Sequence, residues 1–122
     1  MAISLQGCRV LIVEDEPMVG MMIEDMLRDR GYDIVGVAPN LPMALELASS
    51  LELDVAMLDV NLAGERSFAV ADVLRQRHIP FIFATGYGSP GVDPAFAGVK
   101  VLHKPFAGAD LDAALHDALR VA

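Results

Sequence analysis

The chain has 122 residues, of which 54% are hydrophobic, and this is enough for one domain with a packed core. Nine basic residues against seventeen acidic ones give a net charge of −8, which repels phosphate backbones and anionic lipids, so neither nucleic acid nor a membrane is an expected partner. The single cysteine, Cys8, cannot form an internal disulfide, and the sequence has no signal peptide or apolar run that could span a bilayer. We therefore expect a cytoplasmic protein.

Short apolar runs rich in β-branched residues alternate with segments of helical periodicity. The runs are almost continuously hydrophobic, as in strands buried on both faces of a sheet, and they are Val10–Val13, Ile34–Val37, Val55–Leu58, Phe81–Ala84 and Val99–Leu102. The helical segments repeat apolar residues three and four positions apart, and they are Val19–Leu27, Leu41–Ala48, Arg66–Arg77 and Leu111–Leu119. Methionines on the first helical segment are expected mainly to fill the core, although some exposure there would suit docking of a partner protein. These are Met18, Met21, Met22 and Met26.

The segment between the fourth and fifth strands departs from this alternation. Gly86–Gly98 holds four glycines and two prolines in thirteen residues, and each such residue costs a helix roughly 1 to 3 kcal/mol relative to alanine. We expect this fourth helix to be short or disordered, with at most one turn around Asp93–Phe96. The alternation elsewhere predicts an α/β fold, a doubly wound parallel sheet with helices on both faces.

Polar side chains end four of the five predicted strands. Because ligands bind an open α/β sheet at the carboxyl ends of its strands, the informative residues are those at these ends: Glu14, Asp15 and Glu16, then Asp59, then Thr85, and then Lys104 with Pro105. Three crowded carboxylates would repel one another unless a cation neutralised them. Carboxylates suit Mg²⁺, with Mn²⁺ as an alternative ion, whereas the absence of His or Cys ligands among these strand-ending residues disfavours zinc.

A carboxylate can also attack phosphorus and form an aspartyl phosphate. Such a reaction needs a metal, a fixed cation and a hydrogen-bond donor around the phosphoryl oxygens, because positioning and charge neutralisation supply most of the catalysis. Asp59 is the best candidate nucleophile, since it ends a central strand with Glu14 and Asp15 beside it. Lys104 would supply the cation and Thr85 the hydroxyl.

From Arg9 to about Leu119 the sequence resembles the receiver domain of bacterial response regulators. The resemblance rests on four features in order: the acidic pair Glu14-Asp15 after LIV, Asp59 in VAMLDVNL, Thr85 in FIFATGYG, and Lys104-Pro105 before Phe106. It implies a flavodoxin-like sheet of five parallel strands in the order 2-1-3-4-5. We expect residues 1–122 to form a single receiver domain without an effector domain.

The resemblance also implies a role for each site residue. Asp59 would be the phosphoacceptor, and Mg²⁺ would be bound by Asp15, Asp59 and the backbone carbonyl of Asn61, with Glu14 acting mainly through water. Thr85 would bind a phosphoryl oxygen, and Lys104 would pair with the phosphate. A cis peptide is implied before Pro105. The protein would not be an enzyme acting on a separate substrate, although it promotes its own phosphorylation and dephosphorylation.

The run from Pro80 to Gly88 resembles, more narrowly, the FAT-GUY subgroup of single-domain response regulators. This resemblance implies a sensor histidine kinase of the HWE type, or a histidine phosphotransfer protein, as the phosphodonor. The output would pass through another protein, which the sequence does not name.

Two departures from the family pattern bear on how the domain switches. Receivers usually carry Tyr or Phe three residues before the lysine, but here that position is Val101. We therefore hypothesise that phosphorylation orders Gly86–Gly98 through Thr85. Gly86 should leave access for the incoming phosphoryl group, whereas the phenol of Tyr87, bordering the same group, should slow autodephosphorylation.

Other functions compete with this interpretation. An aspartyl-nucleophile phosphohydrolase would need a second Asp two residues after the nucleophile, where this chain has Asn61. A flavin-binding module would need a phosphate loop after the first strand, but the sequence there is the acidic EDEP. A phosphate sink and a pseudo-receiver that binds without being phosphorylated are the remaining alternatives. The histidines, His78, His103 and His116, are interpreted as surface residues.

Overall fold

A computed structural model describes residues 6–86 and 92–120 of the chain. Its main element is a parallel sheet of five strands, namely β1 (Arg9–Val13), β2 (Asp33–Ala38), β3 (Val55–Asp59), β4 (Phe81–Thr85) and β5 (Val101–His103). The strands lie in the order β2-β1-β3-β4-β5, so the predicted fold and strand order are confirmed. The last strand begins two residues later than predicted, at Val101.

Helices cover both faces of the sheet, and their bounds are α1 (Pro17–Arg28), α2 (Leu41–Ser50), α3 (Phe68–Gln76) and α4 (Gly108–Arg120). One buried cluster joins α1 and α4 to the sheet through Ile23, Leu27, Leu111 and Leu115. The opposite cluster joins α2 and α3 through residues such as Ala44, Ala48, Val70 and Leu74. The central strands β1, β3 and β4 are therefore buried on both sides, as their continuous apolar runs predict.

The helix α3 begins two residues after the predicted start at Arg66. Asn61–Leu62 and Glu65–Arg66 pair instead as a two-stranded antiparallel hairpin, and Ser67 forms the N-cap of the helix. The hairpin therefore includes Arg66, the residue at which the helix was predicted to begin.

Among the described residues between β4 and β5, there is one 3₁₀ turn, Pro94–Phe96. The side chain of Asp93 accepts a hydrogen bond from the backbone N–H of Ala95, 2.9 Å away. Phe96 is buried in an aromatic group, 5.6 Å from the ring of Phe68 and 5.7 Å from that of Phe83, measured between centroids. The prediction of at most one turn near Asp93–Phe96 is confirmed, whereas the rest of that prediction falls partly on residues 87–91, outside the described residues.

Two expectations about burial were wrong. Met18, Met21 and Met22 do not fill the core, because their side chains point from α1 into solvent and are 78%, 63% and 56% exposed. The strand β2 is not buried on both faces, because it lies at the edge of the sheet, where Val37 is 37% exposed. Within the described residues, no helix combines the length and the apolar character that crossing a membrane requires.

Candidate functional site

Three carboxylates meet at the carboxyl ends of the neighbouring strands β1 and β3. Glu14 and Asp15 follow β1 directly, and Asp59 is the last residue of β3. One oxygen from each of these side chains lies within 4.8 Å of the others. Glu14 is 1% exposed and Asp59 4% exposed, whereas Asp15 is half-buried. The sheet therefore brings together the three carboxylates that the sequence suggests as metal ligands.

Lys104 supplies a positive charge to this cluster from the end of β5. Its Nζ lies 2.6 Å from Oε1 of Glu14 and 2.8 Å from Oδ1 of Asp59. The backbone fixes this placement, since the N–H of Lys104 donates to the carbonyl oxygen of Thr85, 2.8 Å away. The peptide between Lys104 and Pro105 is cis, as the family resemblance implies.

The pKa values of the two buried carboxyl groups, Glu14 and Asp59, are shifted in opposite directions. Burial, reinforced by a hydrogen bond with Glu14, raises the pKa of Asp59 to about 8. Burial also tends to raise the pKa of Glu14, but its hydrogen bonds with Asp59 and Lys104 outweigh burial and hold that pKa below its usual range. The pKa of Lys104 is raised, because the contacts with both acids exceed the opposing effect of burial. At neutral pH, without a second cation, the pair therefore favours an ionised Glu14 and a protonated Asp59.

One oxygen of Asp59 is short of partners for a buried group. Oδ1 lies 2.8 Å from Lys104 Nζ, but the angles are not those of a hydrogen bond, and among the described residues this oxygen has no hydrogen-bond donor. Buried polar atoms without hydrogen bonds are rare and call for a partner such as a water or an ion. A hard cation bound by oxygen ligands would supply that partner and would remove the repulsion between the acids. The residues present therefore fit Mg²⁺.

The outer ligands of such an ion lie beside the hairpin. Oδ2 of Asp15 accepts a hydrogen bond from the backbone N–H of Ala63 at 3.1 Å, which orients the carboxylate towards the loop after β3. Asn61, whose backbone carbonyl is the remaining suggested ligand, starts the hairpin two residues after Asp59. Its side chain is exposed.

Thr85 ends β4, and its hydroxyl contacts a histidine. Oγ1 of Thr85 and Nδ1 of His103 share a hydrogen bond of 3.1 Å, whose direction depends on the imidazole tautomer.

Gly86, which was predicted to leave access to the site, is exposed, and a Cβ built on it would meet none of the described atoms within 4 Å. Pro105 is exposed as well. Tyr87, the other residue predicted to border the phosphoryl group, lies outside the described residues.

Ser67 is a residue of this site that the sequence analysis missed. Its side chain is completely buried, and its hydroxyl donates to the backbone oxygen of Asp59. The N–H of Ser67 also donates to the carbonyl oxygen of Val60 at 3.0 Å. A serine just before an apolar helical segment is a recognisable N-cap signal, but only the fold shows that this cap reaches the backbone of Asp59.

Doubly wound parallel sheets place their binding sites at the carboxyl ends of the central strands, and this chain has three clustered carboxylates and a lysine there. The chain belongs to the response regulator receiver domain family, whose model matches residues 10–116. The coarse prediction from the sequence is therefore confirmed: this is a receiver domain of two-component signalling.

Several known proteins are similar to this chain. The solution structure of SdrG from Sphingomonas melonis Fr1 is 42% identical, with a TM-score of 0.84, and the match covers 97% of this chain and 99% of that one. The phyllosphere-induced regulator PhyR of Methylorubrum extorquens is 33% identical over 90% of this chain and 43% of its own length. The transcriptional regulatory protein PdtaR of Mycobacterium tuberculosis is 34% identical over 84% of this chain and 52% of its own. The chain thus spans about half the length of these curated relatives.

Proposed function

We propose that the chain is a cytoplasmic single-domain response regulator that accepts a phosphoryl group on Asp59 and signals by binding another protein. The phosphodonor is a sensor histidine kinase, of the HWE type in view of the FAT-GUY resemblance, or a histidine phosphotransfer protein. The reaction depends on Mg²⁺. Residues 1–122 act in it as one receiver domain.

The observation that carries this proposal is the environment of Asp59. Its carboxyl is buried between Glu14 and Lys104, and it keeps one oxygen without a hydrogen-bond donor among the described residues. A carboxylate whose only role is structural would be expected to have its buried oxygens hydrogen-bonded. The lysine beside this oxygen, 2.8 Å away, is placed to meet the charge of an incoming phosphoryl group when the carboxylate acts as the nucleophile.

The chemistry assigned to these residues is a direct phosphoryl transfer. An oxygen of Asp59 forms a bond to phosphorus while the P–N bond of a donor phosphohistidine breaks, and the bonding electron pair returns to the imidazole nitrogen. The Lys104 ammonium then pairs with a phosphoryl oxygen, and the Thr85 hydroxyl donates to another. Asp15, Asp59 and the carbonyl of Asn61 would hold Mg²⁺, with Glu14 acting through water, and the bound ion would neutralise charge on the carboxylates and the phosphoryl oxygens.

An apolar pocket of about 300 Å³ beside the site supports docking of a helical partner. It lies between α1 and the segment after β5, and it is lined by Val19, Met22, Ile23, Met26, Lys104, Pro105 and Phe106. The exposed methionines of α1 extend this apolar surface, and flexible Met side chains suit adaptable protein contacts. A phosphohistidine carried on a helix that docks here would approach Asp59 from the side of Lys104.

Intact-mass measurement after incubation with Mg²⁺ and phosphoramidate tests the proposal. We expect the wild type to gain one phosphoryl group, Asp59→Asn to gain none, and Asp25→Asn, an exposed acid on α1, to behave as the wild type. A wild type that gains no phosphoryl group while Mg²⁺ still binds would instead be a pseudo-receiver. Phosphorylation that persists in Asp59→Asn would show that the phosphoacceptor is another residue.

A further inference from the structure

The sheet register sets Thr85 directly beside His103. In the parallel pairing of β4 with β5, Phe83 faces Val101, Ala84 faces Leu102 and Thr85 faces His103. Residues two apart in a strand point to the same face, so His103 lies on the same face as Val101, the position at which receivers usually carry an aromatic side chain. This chain therefore has a hydrogen-bonding side chain close to the place where the usual aromatic is absent.

The hydrogen bond between these two side chains turns the Thr85 hydroxyl towards β5. The strand β4 lies between β3, which ends in Asp59, and β5, which ends in His103. With Oγ1 3.1 Å from Nδ1 of His103, the hydroxyl is on the side of Thr85 away from Asp59. Since threonine side chains occupy discrete staggered rotamers, a change of rotamer would be needed to present the hydroxyl to the other neighbouring strand.

We propose that His103 is a positioning residue that holds the Thr85 hydroxyl on the β5 side in the unphosphorylated protein, in competition with a phosphoryl group on Asp59. This rests on the proposed function of Asp59. Whichever of the two groups donates in this bond, the hydroxyl leaves the imidazole when its rotamer changes to meet a phosphoryl oxygen. His103 contacts the Thr85 hydroxyl in only one of its two positions. It therefore shifts the equilibrium towards the conformation in which the hydroxyl lies on the β5 side, which is that of the unphosphorylated protein.

The expected size of the effect follows from the value of one hydrogen bond. A net contribution typical of side-chain hydrogen bonds corresponds to a change in equilibrium constant of about two- to tenfold. His103 is exposed, so water competes for its ring and the lower half of that range is expected. The neighbouring contact between Lys104 N–H and Thr85 carbonyl, 2.8 Å long, is made by the backbone and remains in all side-chain variants.

Substitution of His103 by asparagine or by glutamine separates the effect of the hydrogen bond from the effect of side-chain size. The amide of asparagine places a polar atom where imidazole has Nδ1, whereas the longer glutamine places it where imidazole has Nε2. We expect His103→Gln and His103→Ala to be phosphorylated by phosphoramidate, and to bind the phosphoryl mimic beryllofluoride, about two- to fivefold more readily than the wild type. His103→Asn should retain the wild-type values, and His103→Ala on a Thr85→Ala background should change nothing further.

A measurement that needs no phosphorylation completes the test. The ¹⁵N chemical shifts of the His103 ring should change when Thr85→Ala removes its partner in the unphosphorylated protein. Unchanged shifts, or equal phosphorylation of wild type, His103→Ala and His103→Gln, would overturn the role of His103 while Asp59 remains the phosphoacceptor. A wild type that is never phosphorylated would overturn the proposed function and this inference together, so the two failures are distinguishable.

Discussion

Lys104 reaches Glu14 across two intervening strands. Its Nζ lies 2.6 Å from Oε1 of Glu14, although β5 and β1 are separated in the sheet by β4 and β3. The lysine side chain thus passes over the end of β3, where Asp59 is located, and contacts that residue on the way. An opposite charge in direct contact is what allows Glu14 to remain ionised at a buried position.

The metal-free protein should become less stable as the pH rises from about 4 to about 8. The native pKa of Asp59 is raised from 3.8 to about 8, so between these values the native state binds a proton that the unfolded state has released, and stability falls with pH by at most about 1.4 kcal/mol per unit. The lowered pKa of Glu14 acts only on the acid side of this window. Urea unfolding at several pH values in EDTA would measure the slope.

Asp59→Asn is the control for this pH dependence, because the amide cannot ionise. Its free energy of unfolding should vary less between pH 5 and pH 8 than that of the wild type. The slopes of the two proteins should differ by at most about 1.4 kcal/mol per pH unit. Equal slopes in the two proteins would show that Asp59 is already ionised throughout that range.

Mg²⁺ should stabilise the folded protein through Asp15. A ligand that binds only the native state at one hundred times its dissociation constant adds about 2.7 kcal/mol to the free energy of unfolding. We expect Asp15→Ala to lose most of this gain, because the half-buried Asp15 is one of the three clustered carboxylates. Asp25→Ala, which removes an exposed acid from α1, should keep it. Chemical unfolding with and without Mg²⁺ measures the difference, and a loss of equal size in both variants would contradict a local site.

Ser67→Ala should destabilise the protein by about 1 to 3 kcal/mol, because it leaves a buried carbonyl oxygen of Asp59 without its hydroxyl donor. Ser49→Ala is a matched control, since that hydroxyl also donates to a backbone carbonyl, 2.6 Å away, but at an exposed position. Urea unfolding should leave the control within about 0.5 kcal/mol of the wild type. If both variants lose the same free energy, burial of the Ser67 hydroxyl is not what matters.

Met22→Glu should slow phosphoryl transfer from an autophosphorylated HWE-type kinase core to this protein by more than tenfold. A loss of about this size is expected because the substitution places a charge in an apolar contact. Met22 lines the pocket beside Lys104 and is 56% exposed. Met43→Glu is the matched control, because Met43 is an exposed methionine on α2. Phosphorylation by phosphoramidate should be unchanged in both variants. Slow phosphorylation of Met22→Glu by this small donor would indicate damage to the site rather than to docking.

Much of the fold follows from local patterns in the sequence. Continuous apolar runs such as Val55–Leu58 identify strands that are buried on both faces, and the strand-ending residues Glu14, Asp59 and Lys104 are brought together by any parallel sheet of this order. The glycines and prolines of Gly86–Gly98 likewise predict that no full helix forms near Asp93–Phe96, where one 3₁₀ turn is found.

The features that could not be predicted depend on contacts between distant residues. The exposure of Met18, Met21 and Met22 follows from how α1 is rotated on the sheet, and a methionine-rich periodic segment does not specify this rotation. The bond between Thr85 and His103 depends on the register of β5, which begins two residues later than its apolar run suggests. The sequence identifies His103 as a surface residue, and it is exposed, but the sequence does not predict its contact with Thr85.

The register of β5 also limits how this domain can be recombined with others. Val101 pairs with Phe83, His103 contacts the Thr85 hydroxyl and Lys104 contacts the Glu14 carboxylate, because three residues of β5 pair in one register with β4. A graft, insertion or deletion that moved this frame by one residue would turn His103 to the opposite face and displace Lys104 from the acids. A chimeric receiver should therefore inherit β4 and β5 from the same parent.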